Sequence, residues 1–321
     1  MVNSRPWAAA FAMLALCCGE QRAAGAAERV FVLSQAGATL SEIEEGAGKA
    51  THPIALGKAP AVLTVAPETA LAYITHPDIG QVSVVDVANG LVERTLTVEG
   101  SPFGIAVTKD NRLFVGDWND AHISVIDLAG KVPTKKKIAV GRAPAHLELT
   151  PDETLVFVAN RESNDVSVVR TDDLTVAATI PVGHAPFAMA LSPDATRLYV
   201  GNVQAGTVSV IDTKKLAVIE TPVSGAMPYG AAVTPDGARV IVTNQQAGTV
   251  SVLTRNGQPP ATIKVGDYPE GVAIGADGKR AYVANWFSDD VSVIDLDGLK
   301  EIRRIKSPGG PRGVIKLVTV P

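Results

Sequence analysis

Side chains able to do covalent or metal chemistry are few in this chain, and their spacing pairs none of them. Two cysteines stand together at Cys17 and Cys18. Five histidines, His52, His76, His122, His146 and His184, are scattered. A thiol nucleophile needs an activating neighbour, and a structural or catalytic metal needs three or four converging ligands. The sequence has no C-x-x-C-H, H-E-x-x-H, G-x-S-x-G or G-x-x-x-x-G-K. These absences argue against covalent c-type haem, zincin, nucleophile-elbow and phosphate-loop chemistry. A site assembled across several elements needs no linear motif, however. His146 and His184 flank prolines of adjacent repeats, and could share a metal if a third ligand converged. A lone histidine is more often capped or solvated, so the expectation is no metal, no cofactor and no catalytic residue.

The cysteines also lie in an unusual place. Residues 1–7 carry one positive charge, Arg5, and an apolar run follows from Ala8 to Cys18. The segment "GEQRAAGAA" comes next and contains an A-x-A site at Ala24–Ala26. A charged start, a short apolar core and a small-residue cleavage site describe a secretory signal peptide. The run is shorter than the roughly 20 residues of a membrane-spanning helix. Residues 1–27 are therefore read as a leader, with cleavage near Ala26 or Ala27 and a periplasmic or secreted product without a transmembrane segment. A lipoprotein anchor at Cys17 is the rival reading, weakened by the bulky Leu16 before it. The remaining chain carries 27 basic and 32 acidic residues, a net charge of −5, and no cysteine. Disulfides are excluded there, and nucleic-acid binding is disfavoured for want of a basic stripe.

The elements that must position any site are written in a repeat. Serines in V-S-V or similar strands recur at Ser41, Ser83, Ser124, Ser167, Ser209, Ser251 and Ser292, 41 to 43 residues apart. Prolines keep the same pace at 60, 102, 144, 186, 228, 269 and 311. Each unit reads as four short strands: "PFAMALSPD", "TRLYVGN", "TVSVID" and "LAVIETPV". Pro presets one dihedral and Asp or Gly closes the bend in "SPD" and "TPDG". Four strands per 40–45 residues is the signature of a β-propeller. The C-terminal "PRGVIKLVTV" supplies the innermost strand of a unit whose other three are "RVFVLSQ", "ATLSEIE" and "HPIAL". The expected fold is all-β, a seven-bladed propeller over residues 28–321 closed by its two chain ends. Its strands should be apolar on both faces, with the serine small enough for the next sheet to approach and its hydroxyl bonded to local backbone. The lysines of "TKKK" (134–137) fall on an outermost strand, where they guard a free edge.

The strings "FVAN" (157–160), "LYVGN" (198–202), "IVTN" (241–244) and "YVAN" (282–285), each followed by a V-S-V strand, resemble the YVTN-family β-propeller repeat (YncE-like). The resemblance covers the chain beyond the leader. It implies the fold but not one function: members of that family include surface-layer proteins, nucleic-acid binders, lactonases and propellers beside haem or quinone cofactors.

Strand order places the loop before each proline at the rim of the central channel. The residues after the prolines form a ring: Ala61, Phe103, Ala145, Phe187, Tyr229, Glu270 and Arg312. Scaffolding alone would accept small residues throughout. Phe103, Phe187, Tyr229 and Tyr268 are expected to wall a shallow pocket, with Trp118 and Trp286 at the same end and His146, His184, Glu270 and Arg312 as polar groups. The simpler alternative is that these side chains plug the channel, with Glu270 paired to Arg312. The functional expectation is a monomeric, non-catalytic binding or scaffold protein of the cell envelope that recognises a small ligand, peptide or partner protein on this face. The alternative is an enzyme or accessory subunit of lactonase or quinone/haem-linked redox type.

Overall fold

A computed structural model describes residues 28–66, 69–129 and 134–318. The leader and both cysteines lie outside the described residues. The described residues form strands joined by turns, with two three-residue 3-10 turns among them. Unit 4 shows the pattern: Pro186–Leu191, Arg197–Asn202, Thr207–Asp212 and Ala217–Glu220 form one antiparallel sheet. These positions are called strands A to D, from the channel outwards. Five sheets have four such strands, and a sixth has eight. The eight divide at a single parallel bridge, Lys306 to Lys49, into two further four-stranded units. The A strands neighbour one another in cyclic order, and the last packs against the first. The architecture is that of a β-propeller, with units numbered 1 to 7 in the chain order of their A strands.

Unit 7 joins the two ends of the chain. Its A strand is Pro311–Val318, paired antiparallel with Glu28–Ser34 so that Phe31 faces Ile315 and Val32 faces Val314. Thr39–Glu44 and Lys49–Ala55 complete it. Strands B and C are buried on both faces, as "TVSVID" predicts. Ile211 packs with Phe157 and Val168 of unit 3, while Val208 and Val210 pack with Val240 and Val242 of unit 5. Outermost strands are wet: Lys135, Lys136 and Lys137 are exposed.

The turns are closed by side chains. In unit 4 the Ser192 hydroxyl donates to Asp194 Oδ1 at 2.6 Å, and the same oxygen accepts the Thr196 N–H at 3.1 Å. Thr150–Asp152 and Thr234–Asp236 repeat the arrangement in units 3 and 5. In units 2 to 6 the A–B register shifts just after the proline. This bulge re-aims the following side chain toward the channel axis.

The repeated serine has a partner beyond the one expected. In units 3 to 6 it accepts from the Asn that ends strand B: Asn160 to Ser167 at 2.8 Å, Asn202 to Ser209 at 2.9 Å, Asn244 to Ser251 at 2.8 Å and Asn285 to Ser292 at 2.8 Å. In unit 1, His76 Nε2 meets Ser83 at 2.9 Å in the same way. Loop backbone serves some of these serines as well: the Ser251 hydroxyl donates to the Ser224 carbonyl at 3.0 Å and Ser209 accepts the Gly183 N–H at 3.4 Å. The Asn needs room, and the glycine of "G-x-x-P" leaves it. A Cβ on Gly183 would stand 2.6 Å from Asn202, and one on Gly225 or Gly266 would stand 2.5 Å from Asn244 or Asn285. In units 3 to 6 the two conspicuous motifs of the repeat are thus one packing device.

Asn202 is fully buried. Its replacement in Asn202→Ala takes from the Ser209 hydroxyl the shorter of its two bonds, and leaving a buried polar group underpaired costs about 1–3 kcal/mol. Urea unfolding of the variant should show a lower midpoint with an unchanged slope, their product falling by that amount.

Candidate functional site at the channel mouth

The proline loops hold their side chains by unusual backbone geometry. The residue before the proline adopts positive φ in most units, including Ala143, Ala185, Met227 and Tyr268. Its carbonyl accepts the N–H of the residue that follows strand B. Trp118 is bound this way to Ser101, Arg161 to Ala143, Val203 to Ala185, Gln245 to Met227 and Trp286 to Tyr268, at 2.8 to 3.0 Å. A second ring of side chains is therefore locked beside the first.

The first ring fills the channel mouth. Phe187 stacks on Tyr229 with centroids 4.2 Å apart and meets Phe103 edge-on at 5.8 Å. Phe103 belongs to unit 2 and Phe187 to unit 4, and they touch because Ala145 of unit 3 is small. Trp118 tilts onto Phe103 at 4.6 Å. Phe103 is 8% exposed and Phe187 9%. Arg312 ties the far side to this cluster. Its Nη2 donates to the Tyr229 hydroxyl at 2.7 Å, and its Nε lies 3.3 Å from Glu270 Oε2. Its guanidinium stands over the rings of Phe103 and Trp286, at 5.5 and 5.4 Å. Glu270 also accepts from Gln245 Nε2 at 2.7 Å. One arginine from the last strand thus bridges units 2, 5 and 6. The cluster narrows the mouth around a buried ion pair, and its residues also wall a cavity.

Beneath it lies a cavity of about 160 Å³, bordered by Phe103, His146, Phe187, Tyr229, Glu270 and Arg312 among others. His146 also borders a wider chamber toward the opposite end, which Glu148 and Lys316 line. Burial holds His146 down at about 4. Its Nδ1 accepts the Met189 N–H at 3.0 Å, so the neutral ring keeps its proton on Nε2. Burial pushes the carboxyls of Glu148 and Glu270 up to about 7, with the Leu191 N–H opposing it at Glu148, and Arg312 and Gln245 at Glu270. The Tyr229 hydroxyl is pushed up to about 12, chiefly by burial.

Six of the ten residues singled out from the sequence border the upper cavity. Four do not. Trp118 and Trp286 flank the cluster. Tyr268 tilts onto Phe287 at 4.6 Å instead of packing on the central rings. His184 is exposed, so the histidine pair considered for a metal is not formed. Among the described residues one group has metal-ligand proximity, Glu42, Glu44 and His52. Arg29 already holds Glu42 through two hydrogen bonds, at 2.9 and 2.8 Å. Arg161, Gln245, Phe287, Glu148 and Lys316 escaped the sequence reading. The offset that finds the second ring, one residue past strand B, is as regular as the proline offset and would have located Arg161 and Gln245.

Residues 110–200 match the model of the YNCE-like beta-propeller family, in agreement with the resemblance of the repeats. No curated protein matches the chain. Solved structures of similar fold include a functionally unknown protein from Desulfotomaculum acetoxidans, with TM-score 0.78 and 13% identity over 92% of this chain and 100% of that one. A candidate 6-phosphogluconolactonase from Bacteroides fragilis gives 0.76 and 15% over 90% and 98%. Hydrazine synthase of Kuenenia stuttgartiensis gives 0.72 and 21% over 81% and 96%. At these identities the likeness is one of fold.

Two outcomes follow from the geometry. Phe187→Ala opens a hole in a packed cluster and should lower stability by about 3–5 kcal/mol in thermal or urea unfolding, as for a core aromatic. The raised carboxyls make stability pH-dependent. Between about 4.5 and about 7 these two carboxyls retain protons in the folded protein that the unfolded chain has released, so their contribution to stability falls as pH rises through that window and levels off above it, while His146, held near 4, contributes the opposite slope up to about 6.5. Glu148→Gln should flatten the profile and raise stability at pH 8 by about 1–3 kcal/mol, read as melting temperature against pH.

Proposed function

We propose that the chain is an exported, monomeric, non-catalytic binding protein: a closed seven-bladed propeller that recognises a partner protein of the cell envelope through an aromatic rim on its proline-loop face. The observation that carries this reading is the division of labour among the aromatic side chains. Of the thirteen in residues 28–321, seven gather at this one mouth. Phe103, Phe187 and Tyr229 pack inward, whereas Phe287 is 67% exposed and Trp118, Trp286 and Tyr268 are half-buried around it. Arg161 lies over Trp118 at 5.8 Å. Trp, Tyr, Phe and Arg on a rigid rim are the residues enriched at protein interfaces and their energetic centres. Nothing in the packing requires Phe287 to be apolar. The narrowed mouth leaves little room for a ligand to pass, which favours a partner seated on the rim over a small molecule swallowed by the channel. Export rests on the charged start, apolar run and A-x-A site of residues 1–27. The charge of −5 disfavours nucleic acid as the partner.

A hydrolytic reading has one observation behind it. Glu270 titrates near neutrality at the edge of a cavity, as a general base must, and a candidate lactonase is among the similar folds. Against it, Glu270 is 4% exposed and already engaged by Arg312 and Gln245.

The test is site-specific photo-crosslinking in the producing cell, with the crosslinker at Phe287 on the rim or at Leu299, an exposed apolar residue remote from the mouth. A discrete adduct from position 287 alone, on a form beginning near Ala27 or Glu28, is the expected result. Equal products from both positions, or none from position 287, would overturn the reading.

A further inference from the structure

The internal repeat exposes a second site, far from the mouth, on the outer flank between units 4 and 5. Strand B of unit 6 begins R-A-Y-V and that of unit 4 R-L-Y-V. The tyrosine of each points at the next unit round the ring. In unit 6 it is answered. The Tyr282 hydroxyl donates to Glu45 Oε1 of unit 7 at 2.7 Å, and Arg280 donates to the same oxygen at 2.6 Å. Glu45 stands four residues after Ser41, the repeated serine of that unit.

In unit 4 the equivalent tyrosine is not answered. Tyr199 is 4% exposed, and no acceptor takes the proton of its hydroxyl. The position four residues after Ser251 in unit 5 is Arg255. Where the sibling groove brings a carboxylate, this one brings a second guanidinium. Arg197, Tyr199 and Arg255 line one cavity together with Glu220; burial raises the pKa of the Tyr199 hydroxyl, Arg197 opposing it by charge and hydrogen bond and Arg255 by charge, with Glu220 adding to it. The adjoining Thr254 hydroxyl is also buried without a partner. A cavity of about 220 Å³ opens there, walled by Val210, Val240, Leu253, Pro222, Pro259 and Pro260. It lies beside the short D strands of units 4 and 5, Ala217–Glu220 and Ala261–Lys264, where the flanking prolines carry no N–H.

We propose that this groove binds a small carboxylate with a compact apolar body, its carboxylate taking between Tyr199, Arg197 and Arg255 the place that Glu45 takes between Tyr282 and Arg280. The two arginines have acidic neighbours, Glu220 at 3.3 Å and Asp194 at 2.9 Å. Both acids are about half exposed, and exposed ion pairs are worth little. Each guanidinium also keeps further N–H donors for a ligand. The apolar walls select the body and the orphaned hydroxyl selects an acceptor, so affinity is modest and the carboxylate essential.

Phenylacetate fits the volume and serves as the probe, titrated calorimetrically into the protein beside its neutral analogue phenylacetamide. One site is expected for phenylacetate, with the amide weaker by about tenfold, the usual worth of a charge-assisted bond. Tyr199→Phe keeps the packing and should weaken phenylacetate about fivefold. Arg255→Glu supplies the chain's own acid at the Glu45 position and should abolish binding while the circular dichroism spectrum stays that of the folded protein. The proposal is overturned if phenylacetate fails to bind at about 20 mM, if acid and amide bind alike, or if binding survives both substitutions, which would place the probe at the mouth.

Discussion

The structure depends on one constraint: each four-stranded sheet is apolar on both faces and must be covered twice. A single sheet cannot bury two faces, and a linear stack would leave its end sheets bare. Closing the stack into a ring removes the ends. The pairing of Pro311–Val318 with Glu28–Ser34 is therefore the contact on which the other six units rely. It also explains why the buried serine and asparagine pair with each other. With a neighbour on each side no water reaches them, and the polar groups of strand C must be satisfied within the sheet.

Closure fixes the geometry at the channel as well. Seven A strands converge, and the bulge after each proline turns one side chain inward. Space allows only some of them to be large. Ala61 and Ala145 make room, and Phe103, Phe187 and Tyr229 use it. Arg312 then has little solvent to fall back on, its side chain being 16% exposed. It meets Glu270, the Tyr229 hydroxyl and two aromatic faces, which together replace hydration. The same burial raises the carboxyls of Glu270 and Glu148 and lowers His146. The channel is thus a place where charge is expensive, and a rim outside it is where recognition is affordable.

The sequence-level expectations divide according to whether they depend on chain order or on juxtaposition. Period, turn chemistry, the proline ring and the split unit are linear properties, and the residues state them directly: Ser41 is 42 residues from Ser83 in any conformation. The two-faced burial of "TVSVID" follows from its composition. The packing at the mouth does not. Phe103 and Phe187 lie 84 positions apart and meet only because the residue between their units is alanine, which no local pattern announces. Tyr268 and His184 sit at the right offsets, yet Tyr268 packs on Phe287 and His184 is exposed.

What the sequence determined alone was the repeat and hence the fold, because hydrophobic pattern and turn residues act over a few positions. Tertiary structure alone decided which donor meets which acceptor. Glu45 and Arg255 occupy the same place in their repeats and differ only in charge. The consequence of that difference exists only where the neighbouring unit brings a tyrosine and an arginine against them, because hydrogen bonds are made across units by atoms a few ångströms apart, and separation along the chain does not set that distance.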